Sequence, residues 1–418
     1  MPDHDLVPGH QTRCQICGSD RLELVIDLGH HPPCDSLLTL EQLNEPERVY
    51  PLRFLRCHQC GLAQIDYVVP PEELFFPKYP YRSGITNTLT EYLHGTAHAL
   101  ASDHGLDQAA FVVDLGSNDG TLLQGFKAHG MKVLGVEPTD VAKIAIANGI
   151  PTVQEFFSLE LAKRIKDSHG PAQVVTAANM FAHVARLGDL MRGVEELLVE
   201  EGMFLSESHY LLDLLEGTQY DSIYHEHLKY YSLESILTLF SHYDFTVVDA
   251  ERIPNYGGSI RVYARKGRGR PAAKRLENLV AAEADAGLAR ADVFKAFKDR
   301  VHHSKVELQY LLLDIIRRGH SVVGIGCPGR ASTLLNYCNV DLNMMSYISE
   351  QPSSLKLGLY LPGKHIPIED EDRMLREQPD YAVLLSWHYG RPIVDKLRKK
   401  GLRSKIIVPL PNVHVIEG

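Results

Sequence analysis

Between Tyr220 and Leu233 the chain sets two imidazoles, two carboxylates and four phenols in one short run, Tyr220-Asp-Ser-Ile-Tyr224-His225-Glu226-His227-Leu-Lys-Tyr230-Tyr231-Ser-Leu233. Imidazole is the side chain best matched to proton transfer near neutral pH. A neighbouring carboxylate can orient it and raise its basicity, and a phenol can steady a developing oxyanion. Each of these residues alone serves as readily in structure; the cluster is what predicts an active site. The zincin pattern His-Glu-x-x-His is absent, and His225 and His227, two apart, would face opposite ways on a helix, so no metal helix is expected here. Asn179-Met-Phe-Ala-His183, after another strand, offers a second polar pair to the same cleft.

A second chemical motif is Asp114-Leu-Gly116-Ser-Asn118-Asp119-Gly120, which follows the apolar run Phe111-Val-Val-Asp-Leu115 and opens a helix. Its glycines permit a tight turn and close backbone approach to a ligand. Glu137 ends the next strand, where an acid is placed to accept both hydroxyls of a ribose. A dinucleotide loop requires G-x-G-x-x-G over the pyrophosphate. Here Asn118 replaces the middle glycine and Asp119 adds a negative charge, which suits a sulfonium better than a diphosphate. The expected cofactor is S-adenosylmethionine, held by Asp114, Gly116, Asn118, Asp119, Gly120 and Glu137, with Asn179 on the same side of the cleft. Phe156 is a candidate to flank the adenine, although Phe156-Phe157 serves equally well as core.

Four of the seven cysteines form two knuckles, Cys14-x-x-Cys17 and Cys57-x-x-Cys60, each followed by a glycine. Four thiolates satisfy a tetrahedral zinc and leave no open position, so the expected metal is structural zinc. Two unrelated pairs or a redox pair are the alternatives. Gly324-Ile-Gly326-Cys-Pro-Gly329 is a literal G-x-G-x-x-G behind a strand, and Glu350 lies where a ribose-binding acid would stand. That loop supports a rival reading, an NAD-dependent oxidoreductase of sugar nucleotides, although Pro328 removes an amide donor from it. A non-enzymatic zinc scaffold is a third possibility.

These motifs need elements to hold them. Hydrophobic residues make up 44% and charged residues 23% of 418, enough apolar material for several cores. Strands near 111–115, 132–137, 172–176 and 202–207 alternate with helices, the pattern of a parallel sheet covered on both faces. The alternation restarts after a charged helical stretch at 267–300. The expected architecture is α/β: a zinc-binding module over 1–72, a Rossmann-like methyltransferase domain over 73–295, and a smaller Rossmann-like domain over 296–418. A formal charge of -10 argues against a nucleic-acid partner, which calls for a basic face. No run approaches ~18 apolar residues, so no membrane span is expected. The N-terminus lacks the basic and apolar regions of a signal peptide, so a reducing cytoplasm is expected. No apolar stripe in the sequence calls for an oligomer, and a monomer is compatible with it.

Taken together, the chain resembles the zinc-containing sugar C-methyltransferases, which act on nucleotide-linked 4-keto-deoxyhexoses. The resemblance runs through the cysteine quartet, Tyr79-Pro-Tyr81-x-Ser83, the loop 114–120 and Asn179-x-x-x-His183. It continues in Tyr224-His-Glu-His227, Tyr230-Tyr-Ser-Leu and Gly257-Gly-Ser-x-Arg261. It implies that His227 removes a proton from C3 of the sugar, oriented by Glu226, and that the resulting carbanion takes the methyl group. Tyr224 would line the site and steady the enolate, and Tyr79 and His183 would hold the sugar or shuttle protons. Tyr81, Ser83, His225 and Arg261 would also meet the substrate. Arg330, Ser332 and Thr333 would lie by the diphosphate of a dTDP- or GDP-linked sugar. The chain departs from the family pattern at Tyr256, where a histidine is usual, at Trp387-His388, where Trp-Asn is common, and around Ser349-Glu350-Gln351, where the usual carboxylate is shifted or replaced.

Overall fold

The computed structural model describes residues 4–77, 79–103 and 106–417. The opening residues cited above against a signal peptide lie in part outside them. The central unit is a seven-stranded sheet in the order Phe245–Ile253, Ser259–Lys266, Leu198–His209, Ala172–Ala178, Phe111–Leu115, Lys132–Val136 and Thr152–Val153. The last five strands run parallel, and Ser259–Lys266 is antiparallel to both of its neighbours. Phe111–Leu115 is buried at every position, as a strand covered by helices on both faces must be. The parallel strands end at Leu115, Val136, Ala178 and His209, so the loops carrying Gly116, Glu137, Asn179 and the 220–233 run all leave the same edge. Ligands of open α/β sheets bind at that edge.

The C-terminal unit repeats the plan on a smaller scale. Its strands lie in the order Ile368–Asp370, Ile348–Glu350, Val322–Ile325, Tyr381–Leu384, Lys405–Val408 and His414–Ile416, parallel except for the last. The N-terminal unit is an antiparallel sheet of Leu22–His31, Tyr50–Cys57 and Ala63–Ile65, completed by Lys229–Tyr230 from the central unit. A strand contributed just after His227 therefore ties the 220–233 run to the cysteine module. Phe54 packs on Tyr230 at 5.1 Å and on Phe297 at 6.2 Å between ring centres, so one apolar core joins all three units.

Two expectations about organisation are corrected. A boundary at residue 296 would cut the first turns of the 27-residue helix Ala291–Arg317, which Phe294 and Phe297 bury against the core. The chain turns instead between the helices Lys274–Ala286 and Ala291–Arg317. Val306, Tyr310 and Leu313 lie exposed at helical spacing on the longer helix, a short apolar stripe that the sequence reading did not single out. None of the helices among the described residues is long and apolar enough to cross a membrane.

Candidate active site

His227 is 3% exposed and sits among aromatic rings: Tyr224 at 4.0 Å, His209 at 4.6 Å and His183 at 4.8 Å between centres. Its Nδ1 pairs with the carbonyl oxygen of Ser222 at 2.9 Å. A carbonyl only accepts, so Nδ1 carries the hydrogen and Nε2 is the basic nitrogen. Burial, then the neighbouring His209 and His183, holds this imidazole well below the usual histidine range, so it is neutral and ready to accept a proton.

The expectation that Glu226 orients His227 is corrected. Glu226 points the other way, accepting from the Tyr79 hydroxyl at 2.8 Å and the Cys34 thiol at 3.4 Å. Burial and nearby Asp35 push its carboxyl well above the ordinary range. Tyr79, held by Glu226, packs on Phe75 at 5.7 Å between ring centres, and Phe75 in turn meets His183. His225 is also misplaced by the sequence reading: it turns to the carbonyl of Pro51 at 3.2 Å and is fully buried against the cysteine module. His183 stands by His227, over Phe75 at 5.7 Å. The Tyr224 hydroxyl makes no hydrogen bond among the described residues.

The loop 114–120 is closed from one side by the aromatic loop. Ser83 N donates to Asn118 Oδ1 at 2.8 Å, Gly84 N donates to Asp119 Oδ2 at 2.9 Å, and Asn118 Nδ2 donates to the Tyr81 carbonyl at 3.3 Å. Asp119 also accepts from the Thr121 hydroxyl at 2.6 Å. The charge of Asp119 therefore clamps two loops together, a different duty from the direct facing of a sulfonium foreseen above. Glu137 accepts from the Asn118 amide at 3.1 Å and from Thr139 N and Oγ1, and still has lone pairs for a ribose. Asp114 accepts from Thr176 Oγ1 at 2.6 Å, and burial pushes its carboxyl up to about 7. Gly116 has φ +66°, and a Cβ there would meet Met180 at 2.9 Å. Gly120 is left-handed too, and opens the helix Thr121–Ala128.

Buried Ser117 Oγ and Asn179 Oδ1 have no hydrogen-bond partner among the described residues, and Asn179 is held at φ +59°. Orphaned polar atoms beside a glycine-lined turn fit a polar ligand such as S-adenosylmethionine. Phe156 is 47% exposed on the rim, while Phe157 packs on Gly193.

Other expected contacts are engaged elsewhere. Each nitrogen of Arg261 is occupied by Glu207, Glu251, Tyr92 or Thr96, so this buried guanidinium braces the sheet edge and is not free for a substrate. Arg330 is paired with buried Asp221 at 3.2 Å, donates to Gln219 and lies over Trp387. Thr333 donates to the Ile223 carbonyl, and Ser332 is 1% exposed beside Asn336. Arg330 and Thr333 fix the C-terminal unit to the 220–233 run, and Ser332 accepts from Asn336 within its own helix. Tyr81 and Tyr256 share a hydroxyl contact of 2.6 Å.

The oxidoreductase reading also meets a physical obstacle. A Cβ on Gly329 would lie 3.2 Å from Cys34 Sγ and 3.3 Å from the Asp35 carboxylate, so an acid stands at the start of the helix Gly329–Tyr337, where its charge opposes a pyrophosphate. Glu350 accepts from the Cys327 amide at 2.8 Å.

The four knuckle cysteines converge. Cys14 and Cys60 sulfurs are 3.5 Å apart, as are those of Cys17 and Cys57, and all four lie within 4.8 Å of one another. A tetrahedron with Zn–S near 2.3 Å has edges of roughly 3.8 Å, so the set fits zinc.

Comparison with known proteins decides the family. Residues 14–75 match a zinc binding domain, 88–250 a methyltransferase domain, and 254–411 a C-methyltransferase C-terminal domain. The C-methyltransferase NovU of Streptomyces niveus is 32% identical over 412 residues, covering 97% of each chain. The chain belongs to the S-adenosylmethionine-dependent C-methyltransferases. Solved structures resemble this methyltransferase only in part. A protein of Pyrococcus horikoshii OT3 aligns with TM-score 0.37 at 15% identity, over 47% of this chain and 99% of its own. The magnesium protoporphyrin IX methyltransferase of Synechocystis PCC 6803 aligns with TM-score 0.33 at 12% identity, over 43% and 79%. Likenesses this slight carry no argument.

One residue near the centre escaped the sequence reading. His209 ends a strand, and nothing in its sequence neighbours marks it as a partner of His227, 18 positions later.

Proposed function

We propose that this methyltransferase places a methyl group on C3 of a nucleotide-linked 4-keto-6-deoxyhexose through a base-generated enolate. The observation that carries the reading is the neutral His227, tied through Nδ1 to the Ser222 carbonyl, with its basic Nε2 at the sheet edge shared with the loop 114–120. Methylation at carbon requires a carbon nucleophile, and a C–H beside a ketone is the accessible source of one. His227 takes the proton, and the C–H electrons move into the enolate. When bound, S-adenosylmethionine supplies an electrophilic methyl group and leaves as the thioether.

The chain's own residues do the rest. Gly116, Asn118, Asn179 and Glu137 would hold the cofactor, and Asn118 and Asp119 clamp the aromatic loop over it. Tyr224, 4.0 Å from His227, would line the substrate side, and Tyr79, held by Glu226, would meet the sugar. The sugar, its 4-keto group and its dTDP or GDP carrier follow from the family resemblance. Zinc, held by Cys14, Cys17, Cys57 and Cys60, would brace the module whose sheet includes Lys229–Tyr230.

The test is an assay of methyl-labelled S-adenosylmethionine against a panel of dTDP- and GDP-linked 4-keto-6-deoxyhexoses. Label on C3 of one class is expected. Label on oxygen, or on none of the panel, overturns the reading.

A further inference from the structure

We propose that His209 is a second catalytic imidazole, the neutral donor that polarises the substrate ketone and holds the oxygen of the enolate. The inference rests on the proposed enolate chemistry and adds a residue to it.

An α-carbon and its carbonyl oxygen lie roughly 2.4 Å apart, given ordinary C–C and C=O lengths. A base for the carbon and a donor for the oxygen must therefore stand side by side. His209 and His227 do so, with ring centres 4.6 Å apart and an angle of 48° between planes. His209 is the last residue of the strand Leu198–His209, at the edge where the cofactor loop and the catalytic run meet. A rigid strand end positions a donor better than a loop does.

The ring of His209 makes no hydrogen bond to any described residue, so an N–H is available. It packs 4.6 Å from the ring of His227 and 6.1 Å from that of Tyr256.

His183 also neighbours His227, but it sits on the short 3-10 turn Phe181–His183 with its ring stacked on Phe75, whereas His209 ends a strand and its ring faces His227. Burial, then the charge of Arg330, lowers His209 to about 3, and burial and Lys229 lower His183 to about 4, so both rings are neutral. Arg330 is itself fixed by buried Asp221. The ring of His209 stands beside that of His227, where the oxygen of an enolate would form. A neutral imidazole is the suitable electrophile there, because it donates a hydrogen bond without risk of protonating the base beside it. The step balances: the proton leaves carbon for His227 Nε2, the electron pair reaches the carbonyl oxygen, and His209 keeps its own proton while hydrogen-bonded to that oxygen.

The experiment is difference infrared spectroscopy of a dTDP-linked 4-keto-6-deoxyhexose bound with S-adenosylhomocysteine, alongside steady-state kinetics. The native enzyme should shift the carbonyl stretch to lower frequency. His209→Leu should lose most of that shift and about 10²–10³-fold in kcat, with KM little changed. His209→Gln, which restores an N–H donor, should recover part of both. A native-sized shift in folded His209→Leu overturns the inference while leaving the enolate reading intact. An unshifted carbonyl in the native enzyme overturns both.

Discussion

The imidazole of His227 is held by the backbone carbonyl of Ser222 at 2.9 Å, five residues earlier, and its chain neighbour Glu226 takes no part in holding it. A backbone acceptor fixes the tautomer without adding negative charge, so the base stays neutral and buried. His227→Asn should therefore lower turnover by about 10³-fold or more, near the upper part of the range for a general base. Calorimetric binding of S-adenosylhomocysteine should be unchanged. Because His227 is held below the usual range, kcat should stay level as pH falls through 6.5, where a free histidine would protonate. A drop centred there would contradict the assignment.

Glu226 is fully enclosed by Cys34, Tyr79 and Asp35, and its carboxyl is pushed up by burial. Its working form near neutral pH is the acid. Glu226→Gln keeps that shape and polarity, and kcat should fall by less than about tenfold. Glu226→Ala, which leaves the Tyr79 hydroxyl without its acceptor, should cost about 1–3 kcal/mol in stability by urea unfolding and lower activity further. Equal losses in the two variants would show that the charge matters after all.

Asp114 gives a pH signature in the ligand-free enzyme. Burial raises its folded pKa to about 7, whereas an unfolded aspartate titrates near 3.9. The folded state then holds the proton more tightly. That contribution to stability is complete below about pH 4 and is lost as pH rises through 7. Relative to Asp114→Asn, the native protein should lose up to about 4 kcal/mol between pH 4 and pH 8. Urea unfolding at the two pH values measures it, and a constant difference would refute the buried neutral carboxyl.

The cysteine module is predicted to matter to catalysis through strand pairing. Lys229 and Tyr230 pair with Gln64 and Ala63, only two residues after His227. Cys57→Ser should lose bound zinc by metal analysis, and thermal stability and activity should fall together. Unchanged metal content would count against the site.

Much of the scaffold could be read directly from the residues. Phe111–Leu115 and Ala172–Ala178 are short, mainly apolar runs, interrupted by Asp114 in the first and by Gln173 and Thr176 in the second, because helices cover both faces of the sheet; the glycine turn behind the first was visible in the sequence as well. The antiparallel pair Phe245–Ile253 and Ser259–Lys266 was missed, since Asp249, Glu251, Arg252 and Arg265 interrupt its apolar pattern with charges. The duties of Glu226 and Arg261 were misread for a different reason. Their partners Tyr79 and Tyr92 stand 147 and 169 positions away, and residue type alone does not reveal such pairings. The Ser222 carbonyl leaves no trace in sequence at all, because every residue carries one.

The most direct test is deuterium exchange followed by NMR. The enzyme is incubated in D2O with a dTDP-linked 4-keto-6-deoxyhexose and S-adenosylhomocysteine, so that no methyl group can be transferred. The account predicts that the native enzyme loads deuterium at C3 and that His227→Asn does not. Exchange that persists undiminished in His227→Asn would contradict it.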